Sequence, residues 1–214
     1  MTEVKICGIS DPAAMDAVAE SGADWVGFVF FPASPRAVTP ALAASLAARH
    51  PQGPKPVGLF VQPTDSEIAE ALAVAPLAAL QVLAPAARAA EIRTRFNRPV
   101  WHAIGIGAAT DLPAAMPGID RLLLDHQAAP GAAVPGGNAT PFDWSLLRGW
   151  SAPGPWMLAG GLTPGTVAGA IMCTGAAGVD VSSGVERSRG VKDPALIRRF
   201  VAAAKAARPD ASAE

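Results

Sequence analysis

The chain runs Trp25-Val26-Gly27-Phe28-Val29-Phe30, opens an alanine-rich segment at Thr39-Pro40, and then runs Pro56-Val57-Gly58-Leu59-Phe60-Val61. Both six-residue runs are apolar at successive positions rather than at alternate ones. That is the pattern of a strand buried on two faces, as in a parallel sheet. The segment between them reads as a helix. Thr39 can cap its first turn, and Pro40 suits a position whose N–H has no partner. The unit is therefore strand, helix, parallel strand.

Working outward, the same unit recurs along the chain. Further apolar runs lie at residues 4–7, 78–83, 100–104, 121–125, 156–159 and 178–181. Helix starts of the same kind stand at Asp11-Pro12, Thr163-Pro164 and Asp193-Pro194, and Thr64 with Glu67 forms a capping-box pattern. A helix is also expected between residues 106 and 117. Strict alternation of this kind fits an open doubly wound sheet or a closed (β/α)8 barrel. Eight runs, at roughly 25 residues per unit, favour the (β/α)8 TIM barrel. No linker divides the chain, so residues 1–207 are expected to form one barrel domain. Residues 126–141 read as a long loop, and residues 208–214 as a frayed tail.

Composition narrows the partners. Of 214 residues half are hydrophobic, which excludes disorder for most of the chain. The most apolar stretch, residues 69–90, is broken by Pro76, Gln81, Pro85 and Arg88, so no membrane span is expected. Glu3 and Lys5 stand where an export signal would need an apolar core. Seventeen basic and eighteen acidic residues give a net charge of −1 without a basic stripe, against nucleic-acid binding. Cys7 and Cys173 are too few for a disulfide framework and read as free thiols in the cytoplasm. Cys173, inside a predicted helix, is expected in the core. His50, His102 and His126 are scattered, and no metal site is expected.

In a barrel the reactive groups stand where strands end. Strand one ends in Lys5-Ile6-Cys7-Gly8, strand six in Leu124-Asp125, strand seven in Ala159-Gly160-Gly161, and strand eight in Asp180-Val181-Ser182-Ser183-Gly184. After strand two comes Ser34-Pro35-Arg36. Gly160 and Gly161 with Ser182 and Ser183 make a phosphate site at the position where barrels often hold one. Either pair alone would serve as an ordinary turn. Cys7 would be an inert core thiol but for its place at the rim, two residues from Lys5, whose ammonium would lower the thiol pKa. Asp125 ends an apolar run, and desolvation there would raise its pKa and suit it to general acid work. Arg36, held between prolines and the strand end, could grip a carboxylate with paired hydrogen bonds. Trp144, Trp150 and Trp156 read as packing residues.

Taken together, these segments resemble the phosphoribosylanthranilate isomerase family over about residues 4–200. The pieces that carry the likeness are Val4-Lys5-Ile6-Cys7-Gly8-Ile9, Gly27-Phe28-Val29-Phe30 with Ser34-Pro35-Arg36, Phe142-Asp143-Trp144, Leu158-Ala159-Gly160-Gly161-Leu162-Thr163-Pro164, residues 178–186, and Gly190-Val191-Lys192-Asp193. The resemblance implies a cofactor-free Amadori rearrangement of N-(5-phosphoribosyl)anthranilate in tryptophan biosynthesis. By that likeness Asp125 is the general acid and Cys7 the general base. Arg36 binds the anthranilate carboxylate, Gly161 and Ser183 with their neighbours bind phosphate, and Asp180 lies near the substrate. Two positions depart from the family. Gln81-Val82-Leu83-Ala84 stands where Gln-Leu-His-Gly is usual, and Gly136-Gly137-Asn138-Ala139 where Gly-Gly-Thr-Gly is usual. Two other readings compete: a barrel isomerase acting on a different sugar phosphate, and a barrel that binds a phosphate ligand without turnover. An acid–base pair is superfluous for binding alone, which weighs against the second.

Overall fold

A computed structural model describes residues 1–127 and 143–207. Eight strands pair in parallel and in chain order, and the last returns to the first. They are β1 (Glu3–Cys7), β2 (Trp25–Val29), β3 (Lys55–Val61), β4 (Ala79–Leu83), β5 (Val100–Ile106), β6 (Arg121–His126), β7 (Trp156–Leu158) and β8 (Gly178–Val181). Register pairs Val4 with Val179 and Lys5 with Asp180, so the sheet has no edge and the open alternative is set aside. The strands lie within two residues of the expected runs.

Apolar residues at successive positions are needed because both faces are covered. On the outside, Ile6, Phe28, Phe60, Leu80 and Leu122 pack under helix residues such as Met15, Leu46, Ile68 and Phe200. On the inside, Val57, Ala79, Trp101 and Met157 form one layer, and Ala103, Leu123 and Ala159 form another. The N-terminal end of the barrel is filled by stacked cations and rings. Arg121 lies 4.7 Å from the Trp101 centroid and Lys55 lies 5.3 Å from that of Trp25. Glu3 accepts from Arg121 and from the Trp25 indole. The barrel axis is thereby closed at that end among the described residues, and the strand C-termini open at the other.

The helices are α1 (Pro12–Glu20), α2 (Pro40–Ala48), α3 (Asp65–Val74), α4 (Ala86–Phe96), α5 (Val167–Thr174) and α6 (Pro194–Ala206). Asp11, Thr39 and Asp193 cap theirs through side-chain oxygens, and Thr64 with Glu67 closes a reciprocal box. Three expectations fail. The helix after β7 begins at Val167, not at Pro164, because Thr163 and Thr166 bond to each other and close a separate turn first. Residues 106–117 hold only a 3-10 turn, Ala109–Asp111, whose Asp111 carboxylate accepts from Gly107 and Ala108. Pro113 and Pro117 then stop any helix from extending. Cys173 is exposed, not core, because α5 turns Val167, Ala170 and Ile171 inward and puts position 173 on the other face.

Trp150 and Trp156 pack edge to face at 5.5 Å, in keeping with a packing role. After β8 the chain adds an unforeseen hairpin, β9 (Glu186–Ser188) with β10 (Val191–Lys192). Among the described residues no helix is long and apolar enough to cross a membrane. Residues 128–141 of the expected loop, including Gly136-Gly137-Asn138-Ala139, and the expected tail at 208–214 lie outside the described residues.

Candidate active site

The C-terminal mouth opens into a cavity of about 90 Å³ that widens toward solvent. Cys7, Arg36, Asp125, Asp180 and Ser182 all line it. Five residues singled out on four separate segments thus meet around one space. Strand pleating explains the choice: Lys5 and Cys7 on β1, like Leu123 and Asp125 on β6, alternate inward while their neighbours meet the helices.

Below the mouth, the Lys5 ammonium is 0% exposed and donates to Asp180 at 2.8 Å. Burial works against that charge, but Asp180 first and Cys7 second outweigh it, and Lys5 is held above its ordinary value. Cys7 is 3% exposed and lines the cavity. Burial pushes its thiol up, and Asp180 adds to that. Lys5 and Lys192 pull it down but do not win. The expectation that Lys5 would leave the thiol acidic is therefore corrected in direction: a fully desolvated sulfur costs more to ionise than one paired ammonium returns.

Asp125 moves the same way for the same reason. Burial pushes it up to about 7, against the pull of the His126 N–H, which donates to its Oδ1 at 2.7 Å. Asp180 adds to the rise, whereas Lys5 opposes it. The buried pair Lys5–Asp180 thereby helps to keep the acid protonated near neutrality.

Arg36 is 5% exposed and is held from below. Its Nε and Nη2 donate to Glu186 at 2.6 and 2.9 Å. Glu186 also accepts from Lys192 at 2.9 Å and from Gly190 at 3.0 Å, and it is held down to about 2: burial opposes this, while Arg36 and then Lys192 prevail. Two cations around one anion leave a net positive charge. The Nη1 donors of Arg36 have no partner among the described residues and remain free for a ligand carboxylate. The sequence reading did not identify Glu186 and Lys192 as functional. The signal was present in residues 178–186 and 190–193, but only the hairpin β9–β10 brings the two together under Arg36.

The sequence groups Ser182 with the phosphate site. The structure places it on the cavity wall, with its Oγ accepting from Lys192 at 3.2 Å. Gly160 and Gly161 both take left-handed φ, +83° and +65°, which a side chain would resist. Ser183 starts a 3-10 turn directly opposite, in the sense that Gly184 abuts the loop after β7: a Cβ on Gly184 would lie 1.8 Å from the Leu162 carbonyl oxygen. The loops after β7 and β8 therefore meet backbone to backbone.

Leu83 occupies the wall where the family histidine would stand, and His126 is not among the residues that line the cavity. His102 points elsewhere, its Nε2 bonded to the Ala84 carbonyl at 2.7 Å. Among the described residues no cluster of His, Cys, Asp and Glu could hold a metal ion.

In the sequence Gly27 stands out only as part of a motif. A Cβ there would fall 2.8 Å from Cys7 Sγ and 3.1 Å from Lys5 Nζ. Gly27→Ala is therefore expected to push the thiol from its place and lower kcat/KM about a hundredfold, with the far-ultraviolet circular dichroism unchanged. Steady-state kinetics on the purified variant checks this.

The chain matches the family model described as N-(5'phosphoribosyl)anthranilate (PRA) isomerase over residues 4–203. An N-(5'-phosphoribosyl)anthranilate isomerase of Granulibacter bethesdensis is 54% identical over 206 residues, covering 96% of this chain and 99% of the relative. One from Acidiphilium cryptum is 51% identical, covering 97% and 100%. The crystal structure of phosphoribosyl anthranilate isomerase from Thermotoga maritima superposes with a TM-score of 0.83 at 34% identity, covering 96% of this chain and 99% of that one. Another similar structure, of such an isomerase in complex with reduced 1-(o-carboxyphenylamino)-1-deoxyribulose 5-phosphate, has a TM-score of 0.80 at 33% identity and the same coverage.

Proposed function

The chain belongs to the N-(5'-phosphoribosyl)anthranilate isomerase family, and from that premise we propose how its barrel mouth performs the reaction. The protein is an isomerase of tryptophan biosynthesis that converts N-(5-phosphoribosyl)anthranilate to 1-(2-carboxyphenylamino)-1-deoxyribulose 5-phosphate. The observation that carries the residue assignment is that Cys7 and Asp125 line one cavity, where burial keeps Asp125 protonated up to about 7.

Asp125, protonated up to about pH 7, gives its proton to the furanose ring oxygen. The C1–O bond breaks as the anilino nitrogen lone pair forms the C1=N bond of an iminium. The Cys7 thiolate then removes the C2 proton, and the C2–H electron pair flows into that electron sink to give an enolamine. Proton return to C1, with loss of the C2 hydroxyl proton, gives the ketone. No electron acceptor outside the substrate enters. Arg36 binds the anthranilate carboxylate through the donors that Glu186 leaves free. Gly160, Gly161 and Ser183 bind the phosphate where the two loops meet. Holding both ends keeps C1 and C2 between acid and base. Asp180 and Lys5 set the charge beneath them, and Ser182 anchors Lys192 on the arginine side. We take residues 1–207 as the single domain that does this, and the cytoplasm as its compartment, on the free thiols of Cys7 and Cys173.

The active form needs Asp125 protonated and Cys7 ionised, whereas Asp125 titrates at about 7 and the thiol lies above its ordinary value. Below pH 7 the thiolate fraction grows with pH while the acid stays protonated, so kcat/KM rises. Between the two values the gain in thiolate is matched by the loss of acid, so kcat/KM is level. Above the thiol value only the loss remains, and kcat/KM falls. Fluorescence-monitored consumption of phosphoribosylanthranilate, from about pH 5 to about pH 10, checks the shape; the limbs belong to the coupled pair. A single decline centred near 7 would show that the thiol ionises first and would sink the assignment of roles.

A further inference from the structure

The cavity floor carries one polar group for which the reaction as described has no use. Gln81 is the third residue of β4, two short of the strand's end, and points into the cavity with Cys7 and Asp125 above it. It is 4% exposed. Its Oε1 is buried and has no hydrogen-bond partner among the described residues. The other polar side chains on this wall each have at least one partner: Asp180 Oδ1 accepts from Lys5, Asp125 Oδ1 from the His126 N–H, Ser34 Oγ from the Arg36 N–H, and Ser182 Oγ from Lys192. Leu83, two residues further along the same face of β4, offers no donor to Gln81 or to a ligand.

A buried acceptor without a donor costs stability, and an apolar side chain of the same size would remove that cost. Its presence on the floor of a substrate cavity is explained if the donor arrives with the ligand. The level of Gln81 selects which part of the ligand that is. The proposed carboxylate and phosphate anchors, Arg36 and Gly161 with Ser183, belong to the rim loops. Gln81 sits below the acid and the base, which bracket the carbons that react. We propose that Gln81 is a substrate-binding and specificity residue, its Oε1 accepting a hydrogen bond from a hydroxyl on the reacting pentose carbons. The inference rests on the isomerase reading and extends it. A site built around an acceptor for that hydroxyl discriminates against analogues that lack it, because binding them leaves the acceptor unpaired.

The test is Gln81→Met, which keeps the volume and removes the acceptor, with Gln81→Leu as a second variant. Three measurements are made on each: thermal midpoint, kcat/KM on phosphoribosylanthranilate, and affinity for reduced 1-(o-carboxyphenylamino)-1-deoxyribulose 5-phosphate. The expected result is a thermal midpoint equal to or above the parent's, with kcat/KM and affinity both lowered about tenfold to a hundredfold. Kinetics and affinity within twofold of the parent would overturn the proposal. So would a fall in thermal midpoint large enough to account for the lost activity, since Gln81 would then be structural. Absence of turnover in the parent chain is a different result, because it overturns the isomerase reading itself.

Discussion

Asp125→Asn is expected to lower kcat by about a thousandfold, within the 10²–10⁴ that a placed general acid contributes, and at pH 8 to raise the thermal midpoint. The amide has the shape of the carboxyl but no acidic proton to give to the ring oxygen, so ring opening loses its acid. The stability change has the opposite sign. Folding raises Asp125 from 3.8 to about 7 by burying it. Below the unfolded value the carboxyl is neutral in both states and costs nothing. As pH rises from about 4 to about 7 the unfolded chain ionises while the folded one resists, and stability falls by at most about 4 kcal/mol. Asparagine is neutral throughout and escapes that loss. Kinetics and thermal melts on one preparation check both signs, and a variant that loses activity by unfolding would show the melt moving down. Retention of full activity would remove Asp125 from the mechanism.

Cys7→Ser is expected to reduce kcat by a comparable factor, about a thousandfold. The hydroxyl is nearly isosteric, but in a site that already pushes a thiol up it does not ionise at any pH the fold survives. Here no base remains for the C2 proton. Ring opening by Asp125 is untouched, and so is the grip on both ends of the substrate. The variant should therefore bind reduced 1-(o-carboxyphenylamino)-1-deoxyribulose 5-phosphate within a few-fold of the parent while failing to turn over. Equilibrium titration against single-turnover kinetics separates the two. Loss of binding in parallel with turnover would give Cys7 a structural role instead.

Much of this site is legible in the sequence. Cys7, Asp125 and Asp180 were found by asking what stands at the end of each apolar run, and pleating does bring them to one space. Arg36 was found from its loop. Lys5 was expected to make Cys7 acidic, because two residues on one strand face are close by rule. How deeply both are buried depends on the other seven strands. Thr163-Pro164 carries the local signal of a helix start, and Cys173 lies in a helix. Yet a Thr163–Thr166 contact moves the start, and which face of α5 is covered follows from packing.

Short-range chemistry fixes what a short peptide can feel. Apolar periodicity, capping side chains and strand ends are local, so the eight strands, their alternation with helices and the residues at the strand ends follow from the order of amino acids alone, whereas closure of the sheet rests on the pairing of β1 with β8. Solvation and pairing depend on distant parts of the chain. Glu186 meets Arg36 across 150 positions and Lys5 meets Asp180 across 175. The raised pKa values of Cys7 and Asp125, the room that Gly27 leaves for sulfur and the unpaired oxygen of Gln81 exist only once the sheet closes and water is expelled from its interior.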